Sequence, residues 1–202
     1  MLFSNSYKTI LQPVEALFKD RGSKFYAYAF PVRNEHDFKN ELKKIKSNTP
    51  DATHHCYALI LHPDKSFQKS NDDGEPSNTA GKPILRAILA HDLTNIAIVV
   101  VRDFGGTMLG VPGLIQAYHQ ACNEALKLAQ SIEILIEDNY QLRCEFSHES
   151  EAHRFVKKLG AKIITSSYDI DIKINFSIAR SKKNTLKELQ EEFYHLEIID
   201  AV

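Results

Sequence analysis

The sequence lacks the long apolar runs and biased tracts that mark specialised protein classes. No apolar stretch approaches the roughly 20 residues of a membrane span, and residues 1–20 lack the basic-then-apolar order of a signal peptide. We find no internal repeat, low-complexity tract or long linker. With 43% hydrophobic and 25% charged residues among 202, the composition is that of an ordinary globular protein. We therefore expect a packed cytoplasmic protein of one or two domains, with no membrane partner.

Cysteine is scarce as well. The three cysteines, Cys56, Cys122 and Cys144, are widely spaced, and each lies within an apolar pattern instead of a C-x-x-C pair. An odd and dispersed set argues against a disulfide framework. We expect three buried free thiols.

An excess of basic charge is also missing. The net charge is −1, with 15 basic and 14 acidic groups up to residue 136 and 10 and 12 after it. Proteins that bind phosphate backbones usually present a basic face, because lysine and arginine displace condensed counterions. General nucleic-acid affinity is disfavoured and DNA is not expected as a partner, whereas a local basic patch remains open.

The patterns of the first two thirds of the chain alternate between strands and helices. A continuous apolar strand at residues 95–101 is typical of the centre of a sheet covered on both faces. The other predicted elements are a hairpin within residues 7–32, a helix over 34–48 capped by Asn34, a strand over 53–61, a helix with Pro83 in its first turn, and a helix after residue 113 with a small apolar stripe.

The pattern restarts after Ser131. Strand and helix signals follow in the order β-α-β-β-α-β, with a helix ended by Gly160 and a strict apolar alternation from Ile170 to Ile178. This order is that of a ferredoxin-like domain. We therefore predict an α+β fold class with two domains, at residues 1–136 and 137–202.

The loop that begins at residue 70 is rich in acids. Aligning Gly74 with the glycine of an EF-hand puts lysine and alanine at the first and last ligand positions, which excludes that calcium site. Asp72, Asp73 and Glu75 are most simply a solvated turn before a helix, with Thr79 or Ser77 as its cap. A pair of catalytic carboxylates remains the alternative.

A glycine-rich loop follows the apolar strand, and its glycines are Gly105, Gly106, Gly110 and Gly113. Their spacing matches neither a P-loop nor the dinucleotide-binding fingerprint, so we expect no nucleotide cofactor. A tight structural turn and an anion or RNA-phosphate contact both remain open.

His54 and His55 are adjacent, so on a strand their side chains face opposite ways and cannot share a metal ion without a bulge. No second Cys/His pair at short spacing completes a zinc site, and no metal is expected. We interpret one histidine as a hydrogen-bonded core residue. The alternative is a general base that works with Asp72, Asp73 or Glu75 in a small hydrolase.

Two long motifs resemble those of the IMPACT/YigZ family. They are DDGEPSNTAGKPIL at residues 72–85 and VVVRDFGGTMLGVPGLIQAY at residues 99–118, and RGSKFYAY and HHCYA match secondary signatures of the family. The chain departs from the family pattern at Asn78, Asp103 and Pro112. Asparagine tolerates a left-handed backbone, whereas Asp103 and Pro112 weaken an anion cradle in the glycine-rich loop.

The resemblance implies an N-terminal domain like the one shared by a small-subunit ribosomal protein and the fourth domain of elongation factor G, followed by a ferredoxin-like domain. Eukaryotic members of the family regulate translation, in part through an additional N-terminal domain. Because the family core here begins almost at Met1, that particular interaction is not carried over.

We therefore expect a translation-associated protein without enzymatic activity, whose partner is the ribosome, RNA or a translation factor. Its binding surface is expected on loops 71–83 and 102–113. The candidate binding residues are Asp72, Asp73, Gly74, Glu75, Thr79, Gly81, Lys82, Arg86, Arg102, Gly105, Gly106, Gly110 and Gly113, with Lys82, Arg86 and Arg102 as surface cations. The rival hypothesis is the small hydrolase with His54 or His55 as its base.

Overall fold

The computed structural model describes residues 4–201. Contacts divide this chain into two compact units, residues 7–134 and residues 135–201 with the N-terminal residues 4–6. Each unit contains helices packed on a largely antiparallel sheet, which confirms the predicted two-domain α+β fold class. Domain boundaries at residue 136 stay a prediction. Among residues 4–201, every helix is too short or too polar to cross a lipid bilayer.

The first unit is built on a five-stranded antiparallel sheet. Its strands and those of a separate two-stranded sheet are β1 (Ser6–Ile10), β2 (Val14–Asp20), β3 (Ser23–Pro31), β4 (His54–Leu61), β5 (Phe67–Asn71), β6 (Ile96–Asp103) and β7 (Ser131–Leu135). The helices are α1 (Glu35–Asn48), α2 (Gly81–Ala90) and α3 (Gly110–Leu128). The sheet order is β2-β3-β6-β4-β5, and β1 pairs with β7.

Strand β6 is the centre of this sheet, as its continuous apolar sequence predicts. Its even-numbered residues, Ile96 to Val100, belong to the core cluster with α2 and α3. The odd-numbered residues, Ala97 to Val101, pack on the other face, where Phe38 of α1 is buried. The sheet is therefore covered on both faces, and β6 stays buried as far as Arg102 and becomes partly exposed at Asp103.

The sequence predicts one local feature of this unit and misses another. Asn34 caps α1 as expected, because its Oδ1 accepts a hydrogen bond of 2.8 Å from the backbone N–H of Asp37. Strand β5 was not predicted. Its sequence is polar and it is almost fully exposed at the edge of the sheet, so it shows no apolar alternation.

The second unit has the β-α-β-β-α-β order that the sequence predicts. Its elements are β8 (Glu137–Cys144), α4 (Glu149–Leu159), β9 (Lys162–Tyr168), β10 (Ile172–Ala179), α5 (Lys183–Glu192) and β11 (Glu197–Asp200). The sheet order β11-β8-β10-β9, all antiparallel, is the ferredoxin-like arrangement.

Gly160 ends α4 in a left-handed conformation with φ 59°, as predicted. The apolar alternation is buried from Ile172 to Ile178. The prediction for Ile170 is wrong, because Ile170 lies in the turn before β10 and is 94% exposed. All three cysteines are buried and free, as expected.

Candidate functional site

The acidic loop folds around the carboxylate of Asp72. Its Oδ1 accepts hydrogen bonds from the backbone N–H groups of Ala80 (3.0 Å) and Gly81 (2.8 Å), and its Oδ2 accepts one from Asn78 (2.9 Å). The N–H groups of Ala80 and Gly81 lie at the start of α2 and have no partner inside the helix, whereas that of Asn78 belongs to the loop. Asp72 therefore caps α2 from outside the helix and also holds the loop closed.

This arrangement corrects the predicted cap. The residue at the cap position is Ala80, whose side chain makes no hydrogen bond. The hydroxyl of Thr79 donates to the carbonyl of Pro76 at 2.6 Å, and Ser77 accepts from the side chain of Asn78. Neither hydroxyl is needed by the helix, because Asp72 already satisfies its first donors.

Asn78 preserves the loop in the way its chemistry predicts. Its φ is +65°, in the left-handed region where the family pattern has glycine. Asparagine is among the few other residues that adopt this conformation readily. The departure from the family pattern at this position is therefore structurally conservative.

Asp73 holds the two histidines of β4. Its Oδ2 accepts from the backbone N–H of His55, and its carbonyl oxygen lies 2.8 Å from Nδ1 of His54. His55 is 7% exposed, and its Nε2 lies 2.8 Å from the hydroxyl of Thr49. Burial, followed by the positive charge of Lys46, lowers the pKa of His55. His55 is therefore the hydrogen-bonded core histidine that the sequence predicts.

The most buried charges of the site form an ion pair between the two motifs. Nη1 of Arg102 donates to Oε1 of Glu75 at 2.6 Å, and the hydroxyl of Tyr118 donates to the same oxygen at 2.8 Å. Glu75 is 8% exposed, Arg102 5% and Tyr118 0%. The pair links residues 27 positions apart in the sequence and joins the acidic loop to the end of β6.

The network continues into the core through Tyr118. Burial raises the pKa of the Tyr118 hydroxyl, so it remains a donor to Glu75. Sγ of Cys56 lies 3.3 Å from that hydroxyl and 2.9 Å from the carbonyl oxygen of Asp72. Burial raises the pKa of the Cys56 thiol to about 12, which makes this cysteine a poor nucleophile at neutral pH.

Arg102 is not the surface cation that we expected. Its guanidinium is close to two aromatic rings, 5.5 Å from the centre of Phe25 and 5.4 Å from that of Phe104. Nη2 reaches the hydroxyl of Ser23 at 3.5 Å, and the buried Nε has no hydrogen-bond partner within residues 4–201. The charge of Arg102 is therefore neutralised internally by Glu75.

The glycines allow close packing around this network. A Cβ atom on Gly105 would lie 2.0 Å from the backbone of Gly22, so the loop crosses the β2–β3 turn in backbone contact. On Gly113 it would lie 2.3 Å from Arg21, which donates to the carbonyl of Leu109 at 3.2 Å. Both contacts favour the structural-turn interpretation of the glycine-rich loop.

The remaining predicted glycines are explained by positive φ or by a close backbone contact. Gly74, Gly106 and Gly110 have positive φ, and Gly81 lies against the backbone of Asn71. Pro112 is the third residue of α3, a position where the missing N–H breaks no helical hydrogen bond.

A cavity of about 480 Å³ lies where the two loops meet. Its polar lining includes His54, Glu75 and Arg102, and the remainder is mostly apolar. Three apolar side chains of the lining are also exposed: Phe104 at 50%, Met108 at 87% and Val111 at 52%. Lys82 and Arg86 do not line it. They are exposed on α2, one turn apart, and neither forms an ion pair with a residue of the described chain.

Sequence reasoning missed Tyr118, Phe104 and Met108 as parts of this site. Tyr118 lies in the buried stripe of α3, and helical periodicity alone names no partner for its hydroxyl. A buried tyrosine in an otherwise apolar stripe is itself a signal, because its hydroxyl usually needs a hydrogen bond. Within residues 4–201, no group of three or more His, Cys, Asp or Glu side chains is arranged to hold a metal ion.

Comparison with known proteins identifies relatives across most of the chain. A family model, the Impact N-terminal domain, matches residues 21–126. An IMPACT family member of Haemophilus influenzae is 35% identical over 160 residues, which cover 78% of this chain and 77% of that protein. The IMPACT family member YigZ of Escherichia coli is 34% identical over 143 residues, covering 70% of each chain.

A solved structure covers nearly the whole chain. It is the crystal structure of a hypothetical protein, with a TM-score of 0.78 and 27% identity, covering 99% of this chain and 99% of its own.

Proposed function

Because the chain belongs to the IMPACT family, we propose that it is a cytoplasmic, translation-associated regulatory protein that binds the ribosome, RNA or a translation factor. The binding surface is formed by loops 71–83 and 102–113. One observation carries this surface: the buried pair of Glu75 and Arg102 joins the two loops, which are also the two long family motifs. A surface held in this way is rigid before the partner arrives, so little ordering entropy is lost on binding.

The charges of this surface favour a local contact over general RNA affinity. Lys82 and Arg86 supply two exposed cations, while Arg102 is neutralised by Glu75. A protein with net charge −1 that uses two cations displaces few counterions from a nucleic acid. We expect binding that depends weakly on salt concentration and strongly on the shape of the two loops.

The test is a tagged pull-down from lysate of the source organism, with and without RNase, followed by identification of proteins and RNA. We expect enrichment of ribosomal components or translation factors. The variant Lys82→Glu/Arg86→Glu should lower that enrichment about tenfold or more. Loss of enrichment after RNase would assign the contact to RNA, and retention would assign it to protein.

A matched control is available on α1. Lys39 and Lys43 are also exposed, one helical turn apart and free of ion pairs within the described residues, so Lys39→Glu/Lys43→Glu makes the same change in charge elsewhere. Equal losses in both double variants would mean that net charge, and not the proposed surface, governs binding. No enrichment by the unmodified protein would contradict the proposal itself.

The rival hydrolase has one observation in its favour. His54 and Glu75 line the same cavity, whereas His55 is engaged with Thr49 and Asp72 caps α2. General acid–base catalysis contributes roughly 100-fold or more, so His54→Ala and Glu75→Gln should each lower turnover by that factor. Unchanged turnover of a hydrolysed substrate in both variants would remove this candidate.

A further inference from the structure

The cavity between the two loops has the size and lining of a small-molecule site. Its volume of about 480 Å³ lies within the roughly 300–1,000 Å³ of ligand pockets. The lining is mainly apolar, with a few polar groups, as in most such sites. Phe104, Met108 and Val111 are exposed beside it, although exposed apolar side chains in a cluster are uncommon without a binding role.

The ion pair that lines the cavity has hydrogen-bonding capacity that the protein does not use. Both hydrogen bonds to Glu75 end on Oε1, and Oε2 accepts none from any described residue. Nε of Arg102 is buried and makes no hydrogen bond within residues 4–201. Oε2 of Glu75 and the three N–H groups of Arg102 beyond those bonded to Glu75 and Ser23 thus remain on a single pair, and buried polar groups of this kind are usually satisfied.

His54 adds a second acceptor. Its Nδ1 lies 2.8 Å from the carbonyl oxygen of Asp73, which can only accept, so Nδ1 carries the hydrogen. In the neutral ring Nε2 then has a free lone pair. Since His54 lines the cavity with Glu75, a ligand bearing N–H donors finds two acceptors there.

The charges of the lining argue for an uncharged ligand. Glu75 and Arg102 cancel each other at 2.6 Å, so the pair offers polarity without net charge. An anion would approach the free oxygen of a carboxylate, and a cation would approach a guanidinium. A neutral group with a donor beside an acceptor is repelled by neither charge. Its donor matches the carboxylate and its acceptor matches the guanidinium.

We propose that this cavity binds a small uncharged molecule with a flat apolar body and an amide-like edge. The N–H groups of that edge donate to Oε2 of Glu75 and to His54, and its acceptor oxygen or nitrogen faces Arg102. The apolar body lies against Phe104, with Met108, Val111 and Leu114 around it. This site goes beyond the proposed function, because it needs neither Lys82 nor Arg86 and no macromolecular partner.

The test uses probes that share one apolar body and differ only in the polar group. The full-length protein, labelled with ¹⁵N, is titrated separately with 2-naphthamide, 2-naphthoate, 2-naphthylmethylamine and N,N-dimethyl-2-naphthamide, and binding is followed by amide NMR shifts. We expect saturable binding of 2-naphthamide, with shifts at Thr53, His54 and Glu75 and at those residues of 102–114 that carry an amide N–H. The anion, the cation and the probe without N–H donors should each bind at least tenfold more weakly.

Variants at the mouth of the cavity leave Glu75 and Arg102 themselves in place, and Met108→Glu also keeps the Phe104 ring that packs near Arg102. Phe104→Ala and Met108→Glu should each weaken 2-naphthamide about tenfold. Phe146→Ala is the matched control, since Phe146 is also 50% exposed but lies in the second unit, and it should leave the affinity unchanged.

Three results would overturn the proposal. They are the absence of saturable binding by 2-naphthamide, equal affinity in Phe104→Ala and the unmodified protein, and tighter binding of either charged probe. The variant Lys82→Glu/Arg86→Glu separates the two proposals. If it loses partner enrichment but binds 2-naphthamide normally, the partner surface and the small-molecule cavity are both supported as separate sites.

Discussion

The two units of the chain bury different kinds of side chain. In residues 7–134 the buried set includes an ion pair, a histidine, a serine and several threonines, whereas in residues 135–201 Ser177 is the one buried serine, threonine, histidine or charged residue among those described. Both units have complete apolar cores. The buried polar groups of the first unit therefore do not make up for a deficient core. They connect the loops to each other and to the sheet, and satisfied buried polar networks of this kind make the local structure rigid.

Breaking the buried ion pair should give the largest effect on stability. Arg102→Ala leaves Glu75 buried without its cation, which costs about 3–5 kcal/mol. Arg180→Ala in the second unit is the comparison, because the pair of Arg180 with Asp138 is partly exposed and its loss should cost about 1 kcal/mol or less. Urea unfolding followed by NMR amide signals measures each unit separately. Equal losses in the two variants would contradict the distinction between the units.

Removal of the cap of α2 should give the next largest effect. Asp72→Ala removes the acceptor of three backbone N–H groups, so we expect a loss of about 2 kcal/mol from the first unit. Asn34→Ala removes a one-bond cap from α1 and should cost about 1 kcal/mol. In the second unit, α4 and α5 begin without a side-chain cap bond, so no equivalent variant exists there. The same urea experiment tests the order of these two losses.

Two buried tyrosines sharpen the comparison further. Tyr118→Phe removes a donor to Glu75 and should lower the stability of the first unit by about 1 kcal/mol. Tyr140 in the second unit has a buried hydroxyl with no hydrogen-bond partner in the described chain, so Tyr140→Phe should be neutral or stabilising. Urea unfolding measures both losses. Destabilisation of similar size in the two variants would show that the hydrogen bond from Tyr118 to Glu75 does not stabilise the first unit.

The smallest effect concerns pH. Because burial lowers the folded-state pKa of His55, the unfolded state binds its proton first as the pH falls. The free energy that the neutral His55 contributes to the stability of the first unit should therefore be fully present above the ordinary histidine pKa near 6.5. It should be lost as the pH falls through the lower pKa of the folded state. His55→Gln should flatten the decline of unfolding temperature between about pH 7.5 and 5.5. An identical slope in the variant would assign the decline to other groups.

Local chemistry was enough to predict much of this fold from the sequence. The apolar run of β6, the cap at Asn34 and the left-handed Gly160 each depend on residues within a few positions of one another. Edge strand β5 is not predictable from the sequence pattern. It pairs only with β4 and its side chains lie mostly in solvent, so its sequence needs no alternation of apolar and polar residues.

The site was harder to predict, because its contacts join distant parts of the sequence. The motifs identify Glu75 and Arg102 as candidates, with Arg102 predicted as a surface cation. The sequence pattern does not show that both charges are buried, since their burial depends on α3 and on Tyr118, 43 positions from Glu75. The cap of α2 was assigned to the nearest hydroxyls, while the actual acceptor, Asp72, lies nine positions before Gly81.

The three bonds of Asp72 also restrict how this protein is able to vary. Surface loops usually accept insertions and deletions, because their ends are held by the neighbouring elements and their middle is free. Here a single carboxylate spans the loop to Asn78, Ala80 and Gly81. Exchange of the exposed Pro76 or Ser77 leaves those bonds in place, but one residue more or fewer moves all three donors away. The acidic loop is therefore expected to accept substitution at Pro76 and Ser77 but not a change in length.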